Sequence, residues 1–344
     1  MAPPRQRCAA TFLEALRVWQ LQAYSKPLRF FSFLVILPLV LVLFTTHRVN
    51  VALGRRQALH NLGVTAELAA QLVDRTLQET RLFEQMLATQ PAFRQAIQRG
   101  DGPPLTKLLE DALQLVPRVS RAAVSTPEGT VIAVFPEDLR DVGQSVAQDD
   151  GFRGAQQGGW HPYVSSVHLQ DGSPREKVVD ITLPVREGPE VIGLLMVQYR
   201  VEEVRLWFQK IRVEPGGFLY LVDQHDQLVT YPFQVLPGKP KVVSDWTPVA
   251  QVVPETGSTL VFRGGRHNEL WLAGVHPVGT TGWRIVAAQP EHEVLRLLHS
   301  VLWPMGLLVS LLVTILLTVS LQWVQLQRWR LLERVERTQG PSSA

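Results

Sequence analysis

The chain has 344 residues, of which 46% are hydrophobic and 19% are charged, and its formal net charge is +3. Residues 1–29 carry a net charge of +4 and residues 324–344 a net charge of +2, so the long middle region is mildly acidic. A nucleic-acid-binding domain has a basic patch or stripe on its surface, and this charge distribution therefore excludes nucleic acid as a partner. The single cysteine, Cys8, excludes an intrachain disulfide and a zinc site built on several thiolates.

The first apolar segment lies near the N-terminus, at residues 30–46, and reads FFSFLVILPLVLVLFTT. Its length is close to the minimum of about 17–20 residues for a helix that crosses a bilayer. A cleaved signal peptide is the alternative, but the basic region before the segment is long and no small-residue cleavage pattern follows it. We therefore predict a transmembrane helix over residues 30–47.

The second apolar segment is longer, with no Asp, Glu, Lys or Arg between Arg296 and Arg328. Trp303 and Trp323 lie at its ends, where aromatic rings favour the membrane interface, and a second transmembrane helix is predicted over residues 298–324. The basic segments 1–29 and 325–344 both favour the cytoplasm. The sequence therefore predicts a two-pass protein of the cell membrane (the inner membrane in a bacterium), with residues 48–297 periplasmic or extracellular.

Helices are predicted at the start of this external region. Residues 50–100 have apolar side chains at helical spacing with strong helix formers between them, which predicts one long helix that continues from the first span. Pro91 interrupts this helix, and the GDGPP sequence at 100–104 ends the piece that follows. A further helix is predicted from about Leu105 to Leu115.

From Val119 onward the pattern changes to short apolar runs separated by turns. The first series of predicted strands is 119–126, 130–135, 162–169, 176–185 and 191–201, followed by a helix over 202–212. The second series is 217–223, 228–233, 258–262, 267–278 and 282–290, and a helix from Glu291 leads into the second span. Strands at this spacing, with helices at the ends, predict an α+β fold with two antiparallel sheets.

Seven segments of the chain resemble the double Cache sensor domains of bacterial chemoreceptors, histidine kinases and cyclic-dinucleotide enzymes. They are LATQPAFRQAIQRGD (87–101), AAVSTPEGTVIAV (122–134), GFRGAQ (151–156), WHPYVSSV (160–167), VVDITLPV (178–185), VIGLLMVQYRVEEV (191–204) and GGFLYLVDQHDQLVTYP (216–232). The resemblance covers roughly residues 50–297. It implies a long N-terminal helix followed by two PAS-like modules, a membrane-distal one at about 117–202 and a membrane-proximal one at about 213–290.

The resemblance also implies a ligand site in the distal module, because that unit usually binds the ligand in this family. Arg153 could hold a carboxylate through two parallel hydrogen bonds, and Trp160 and Tyr163 could form an aromatic wall. Asp180 is the only charge in its strand, on the face opposite the apolar residues. The predicted ligand-binding residues are Phe152, Arg153, Trp160, Tyr163, Ser165 and Asp180. Each also has a structural interpretation, as a solvated charge, a cap on the sheet or a core residue.

The ligand class is expected to differ from that of the amino-acid-binding members of the family. Those members are known for carboxylates that hold the amino group, and this chain has Ser165 where an acidic residue is expected and no Asp near Gln198. A carboxylate ligand without an amine therefore fits the sequence at least as well as an amino acid.

No catalytic, metal or cofactor motif is present in the sequence. The histidines are scattered without metal-ligand spacing, and there is no nucleophile elbow or phosphate-binding glycine loop. Glu291, His292 and Glu293 form one acidic–histidine cluster, which is read as a charged turn at the membrane interface. The chain is therefore not predicted to be an enzyme, and no cofactor is predicted.

Two functions from different classes remain open. The first is a membrane-anchored sensor that binds a small molecule outside the cell and signals to a separate protein, because residues 325–344 are too few for an output domain. A homodimer is compatible with this layout. The second is a structural or assembly subunit of an envelope complex, since one fold can serve several functions. A periplasmic hydrolase is the weakest alternative.

Overall fold

The computed structural model describes residues 5–116, 119–136, 140–170, 176–208, 211–213, 216–232, 239–251, 257–265 and 268–338. The chain divides into two compact units. One unit comprises Arg55–Val294, and the flanking segments Met1–Gly54 and Leu295–Ala344 form the other. The candidate site lies entirely within Arg55–Val294.

Three helices open the chain: α1 (Arg5–Thr89), α2 (Pro91–Arg99) and α3 (Gly102–Leu113). The predicted long helix is therefore confirmed, and so is its interruption at Pro91, because the residue before a proline is disfavoured in a helix. Gly100 ends α2 in the left-handed conformation, with φ at 65°, and its N–H donates to the carbonyl of Ile97 at 3.0 Å. One face of α1 is fully buried over its second half, through Leu62, Ala66, Ala69, Ala70, Val73 and Leu77.

The first sheet is antiparallel, with strand order β2-β1-β6-β5-β3 and with β4 also paired to β5. Its strands are β1 (Val119–Ser125), β2 (Val131–Phe135), β3 (Tyr163–Val164), β4 (His168–Leu169), β5 (Lys177–Glu187) and β6 (Glu190–Arg200). Helix α4 (Asp150–Gln157) lies before β3, and α5 (Val201–Phe208) follows β6. The predicted β1–β2 hairpin is confirmed. Residues 209–210, at the end of the predicted helix 202–212, lie outside the described residues.

The single strand predicted over 162–169 is wrong, because the backbone leaves the sheet between β3 and β4. There Ser166 N donates to Asp150 Oδ2 at 2.6 Å, and Val167 N donates to Asp223 Oδ2 at 2.9 Å. Both backbone N–H groups are satisfied by carboxylates from other parts of the chain, so no ladder hydrogen bond is needed at these positions.

The second sheet is also antiparallel, with strand order β8-β7-β11-β10-β9. Its strands are β7 (Phe218–Val222), β8 (Leu228–Thr230), β9 (Ser258–Gly264), β10 (Glu269–Pro277) and β11 (Arg284–Pro290), and the short helix α6 (Thr247–Ala250) lies between β8 and β9. All five strands overlap the predicted ones. The α+β class with a long N-terminal helix and two antiparallel sheets is thus confirmed.

One core joins both sheets to α1. Ile181 and Leu195 of the first sheet share this core with Leu272 and Ile285 of the second and with residues of the buried face of α1. Gly274 on β10 allows the closest approach, because a Cβ atom there would lie 2.5 Å from the backbone of Leu62 on α1. A glycine permits such a contact between two backbones.

The last helix, α7 (Glu291–Thr338), contains the stretch Gly306–Trp323, which is long and apolar enough to cross a membrane and has no buried residues. This agrees with the second predicted span by length and composition. Within the described part of the chain, no other helix passes the same test. Part of the first predicted span has side chains outside that description, so the span at 30–47 stays a prediction.

Candidate functional site

The candidate site is a cavity of about 340 Å³ on the face of the first sheet opposite α1. Its floor is a row of three polar residues on adjacent strands: Asp180 on β5 pairs with Gln198 on β6, which pairs with Arg121 on β1. Directly paired residues project from the same face of a sheet. The opposite face of the sheet carries the apolar core, as predicted, and Val179, Ile181 and Leu183 are buried there.

The walls come from the segment before α4 and from strand β4. They are formed by Asp141, Gln144, Ser145, Val146, Asp149, Asp150, His168, Leu169 and Gln170. Helix α4 approaches β5 closely because Gly151 has no side chain: a Cβ atom there would lie 2.8 Å from Thr182 Oγ1. This close approach brings Asp150, at the first turn of α4, beside Asp180 on the floor.

The lining is acidic, with four carboxylates against one guanidinium and one imidazole. Arg121 forms an ion pair with Asp141, and His168 Nε2 lies 3.3 Å from Asp180 Oδ2. Asp150 Oδ2 accepts hydrogen bonds from Ser166 N at 2.6 Å and from Ser166 Oγ at 2.8 Å. The cavity therefore presents an excess of negative charge to a ligand, which favours a cationic group.

Asp180 is the residue at the centre of this arrangement, with a side chain 15% exposed. Burial raises the pKa of Asp180, and the nearby charge of Asp150 raises it further. His168, a hydrogen bond from Gln198, and Arg121 oppose this rise in the pKa. Burial dominates because removing a carboxylate from water disfavours its charged form.

Gln198 offers an unused acceptor at the floor. Its amide bonds to Asp180, while its Oε1 atom is buried and has no hydrogen-bond partner among the described residues. Buried polar atoms are nearly always hydrogen-bonded in native proteins. An acceptor of this kind beside carboxylates is suited to a ligand that donates hydrogen bonds.

Of the six residues predicted from the sequence, Asp180 lines the cavity. Phe152 is buried and packs edge-on against Trp160, with ring centroids 5.9 Å apart, and Tyr163 packs partly buried against the same cluster. Arg153 is exposed on α4. Ser165 is buried; its hydroxyl accepts from Asp180 N at 2.8 Å and donates to the Ser166 carbonyl at 2.9 Å. A direct part for these five residues in ligand binding stays a prediction.

Four of the cavity residues that sequence reasoning missed are Arg121, Asp150, His168 and Gln198. Two of them carry a signal that strand alternation could have used, since Arg121 and Gln198 interrupt the apolar runs of β1 and β6. Asp150 carries no such signal, because its position depends on how α4 packs across β5. Within the described ranges, no group of three or more His, Cys, Asp or Glu side chains is arranged to hold a metal ion.

A polar bridge connects the rim of the first sheet to the second. Gln224, in the turn after β7, donates to Tyr163 Oη at 3.0 Å and to the Val164 carbonyl at 3.3 Å. Its Oε1 atom accepts from the indole of Trp283 at 2.8 Å. Asp223, next to it, is fully buried and accepts from Val167 N. These hydrogen bonds join the segment around β3 directly to residues at the ends of β7 and β11.

Comparisons with known proteins agree with this architecture. The family model described as Cache domain matches residues 54–298, more than two thirds of the chain. No curated protein matches the chain.

Solved structures share the fold at low sequence identity. The ligand-binding domain of the Pseudomonas aeruginosa PAO1 amino acid chemoreceptor PctB, in complex with L-Arg, is 18% identical with a TM-score of 0.53, covering 69% of this chain and 96% of that one. The ligand-binding domain of the Pseudomonas fluorescens chemoreceptor CtaA, in complex with L-isoleucine, is 13% identical with a TM-score of 0.55, covering 71% and 96%. The extracellular domain of the histidine kinase designated mmHK1S-Z2 is 14% identical with a TM-score of 0.55, covering 71% and 99%.

Proposed function

This chain belongs to the Cache domain family, and on that premise we propose that it is a membrane-anchored sensor that binds a small molecule in the cavity of the first sheet. In this proposal residues 48–297 are extracytoplasmic, with a membrane-distal module at 117–202 and a membrane-proximal one at 213–290. The spans at 30–47 and 298–324 hold it in the cell membrane, and residues 1–29 and 325–344 are cytoplasmic.

The observation that carries the ligand class is the acidic row around Asp180. Four carboxylates and the unpartnered Gln198 Oε1 face a single guanidinium, Arg121, which is already paired with Asp141. These groups suit a ligand with an ammonium group better than the carboxylate ligand without an amine that the sequence left open. PctB and CtaA were solved with L-Arg and L-isoleucine, which both carry an ammonium group, and this supports the same class of ligand here.

The signal would leave the domain through its second sheet. Gln224 and Asp223 bond to the segment between β3 and β4, next to the cavity, and β11 runs directly into α7. A ligand that shifts this segment would bias the position of the second sheet and of α7, in the manner of small helix shifts in other switches. We propose that a separate signalling or membrane protein receives this movement.

The test is a thermal-shift screen of the full chain in lipid nanodiscs, with amino acids and simple amines against carboxylic acids of matched size. We expect amines to raise the melting temperature, because a ligand that binds only the native state stabilises it. For a hit, Asp180→Asn should weaken binding roughly tenfold to a hundredfold, since it removes a charge-assisted hydrogen bond. Gln157→Ala, at an exposed position on α4 outside the cavity lining, is the control and should bind within about twofold of wild type.

The pH dependence gives a second measure of the same site. Because burial raises the pKa of Asp180, its carboxylate is neutralised at a higher pH than an ordinary aspartate as the solution is acidified. Affinity for an ammonium ligand should therefore fall with acidification in wild type and change less in Asp180→Asn. A ligand set made up of carboxylates alone, or hits that are insensitive to Asp180→Asn, would refute the assignment of the cavity.

A further inference from the structure

A second cavity, of about 540 Å³, lies on the second sheet and is lined mainly by aromatic rings. Its volume is within the roughly 300–1,000 Å³ of small-molecule sites. The aromatic residues lining it are Phe218, Tyr220, Tyr231, Trp246, Phe262 and Trp271. We call it the aromatic pocket, and it is separate from the acidic cavity, with which it shares no lining residue.

The strand register creates this pocket. Phe218 on β7 is directly opposite Ala288 on β11, and Trp271 on β10 is directly opposite Phe262 on β9. The single methyl group of Ala288 leaves room above the sheet, where the rings of Phe218 and Trp271 approach to 5.7 Å between centroids. Alternation brings Tyr220 to the same face as Phe218.

The rings stand at steep angles to one another rather than stacking. Tyr220 and Trp246 meet at 80°, Phe218 and Tyr231 at 77°, and Tyr231 and Trp246 at 67°. Because all of these rings line the same cavity, they form walls around it at different angles. A ring face attracts a cation within about 6 Å of its centre, and cages of several rings recognise quaternary ammonium groups.

The chain itself shows that one of these rings attracts a cation. Lys241 Nζ lies 5.3 Å from the ring centre of Trp246, and Lys241 is not among the residues that line the pocket. Burial raises the pKa of both Tyr220 and Tyr231, so the two phenols stay neutral and keep their electron-rich faces through mildly alkaline pH. The two phenol rings of the pocket are therefore neutral over the whole physiological range, beside the carboxylate of Asp245 and the guanidinium of Arg263.

Three polar side chains line the pocket beside the rings: Asp245, Thr247 and Arg263, whose guanidinium donates to the Asn268 carbonyl at 3.2 Å. Asp245 lies in the lining and offers a carboxylate to balance a positive charge. Trp271 Nε1 is buried and has no acceptor within hydrogen-bonding distance among the described residues. It lies near the backbone of Gly265, which also lines the pocket. An unused indole N–H beside an aromatic cage suits a ligand with an oxygen acceptor a few bonds from its cationic centre.

We propose that the aromatic pocket is a second binding site, for a small quaternary ammonium compound that carries a hydroxyl or carboxylate oxygen. The methylated ammonium would lie among Tyr220, Tyr231 and Trp246, and the oxygen would accept from Trp271 Nε1. The site is independent of the acidic cavity, so one molecule of the protein would bind two different ligands at two sites.

The test is calorimetric titration of the full chain in nanodiscs with choline and with its uncharged isostere 3,3-dimethylbutan-1-ol. Choline should bind, and the isostere should bind at least about tenfold more weakly, because it has the same shape without the charge that the rings attract. Tyr231→Leu and Trp246→Leu should each weaken choline roughly tenfold. Trp271→Phe should weaken choline and leave tetramethylammonium nearly unchanged, since it keeps a ring and removes the N–H.

The controls separate this site from other effects. Trp329→Leu removes an exposed tryptophan outside the pocket and should leave choline binding unchanged, as should Asp180→Asn in the acidic cavity. Thermal unfolding checks each variant, and Trp246→Phe replaces Trp246→Leu if the latter does not fold. Equal binding of choline and its isostere, absence of choline binding, or loss of choline binding in Asp180→Asn alone would each overturn the proposal.

Discussion

Glu84 on α1 is a buried carboxylate that no described residue bonds. Its side chain is fully buried, and neither Oε1 nor Oε2 has a hydrogen-bond partner among the described residues. Burial raises the pKa of Glu84 well above its ordinary value, against the opposing charge of Arg81. The native state therefore holds the proton of this group more tightly than the unfolded state does.

The raised pKa of Glu84 determines how the free energy of unfolding changes with pH. Between the ordinary glutamate pKa and the raised native one, the unfolded state binds fewer protons than the native state, so stability falls as the pH rises. Glu84→Leu should remove this loss and stabilise the protein by about 1–3 kcal/mol at pH 8, since it removes an unsatisfied polar group from the core. Urea unfolding at pH 5 and pH 8 measures both effects.

Glu79→Leu is the matched control for Glu84→Leu. Glu79 is on the same helix and pairs at the surface with Arg75 at 3.1 Å, with a side chain 57% exposed. Surface pairs of this kind contribute little, so we expect a change in the free energy of unfolding below about 0.5 kcal/mol. A Glu84→Leu variant that is less stable than wild type at pH 8 would contradict the explanation.

The packing of β10 against α1 depends on a single glycine. Gly274 lies where the two backbones nearly touch, and an added Cβ would be 2.5 Å from the carbonyl oxygen of Leu62. A backbone cannot move out of such a clash by changing rotamer, as a flexible side chain can. Gly274→Ala should therefore destabilise the fold by roughly 1–3 kcal/mol. Gly264→Ala, on the neighbouring strand, would meet the flexible ring of Phe262 at 3.0 Å and should have a smaller effect. Equal unfolding midpoints for the two variants would contradict this reading.

The elements that the sequence predicted well are those whose pattern is local. The helices α1 to α3 follow from apolar spacing and from Pro91 and Gly100, and the β1–β2 hairpin follows from two apolar runs around a turn. The break between β3 and β4 could not be predicted in this way, because the groups that replace the ladder are Asp150 and Asp223. Asp223 is more than fifty residues from the strand it bonds, so no window of local sequence contains this interaction.

The candidate site could also be predicted only where its residues stand out in the local sequence pattern. Asp180 stands out in its strand because it is the one charge among apolar residues, and alternation placed it on the face away from the core. The aromatic rings of Trp160 and Tyr163 suggested a ligand wall, which stays a prediction; in the fold they lie partly buried against a small core that contains Phe152 and Leu194. Whether an aromatic ring faces a ligand or a neighbour is decided by the packing of α4, through Gly151 and Gly154, and not by composition.

The whole chain combines a compact Cache-domain unit with a helix suited to a membrane. Gly306–Trp323 is apolar and unburied, and the predicted span at 30–47 would bring both ends of the chain to the same side. Two ends in the cytoplasm and the domain outside is the layout that a sensor needs, because the ligand and the output partner are then on opposite sides. If the first apolar segment is instead a cleaved signal peptide, the N-terminal residues are removed from the mature protein.

The single cysteine tests this layout directly. A membrane-impermeant maleimide should leave Cys8 unlabelled in intact spheroplasts and label it once the membrane is opened, because we place residues 1–29 in the cytoplasm. In a Cys8→Ser background, Glu190→Cys at the exposed start of β6 should be labelled in intact spheroplasts. Labelling of Cys8 from outside would reverse the proposed orientation. Failure to label Cys8 under either condition, with a shortened chain on a gel, would show that the first segment is removed as a signal peptide.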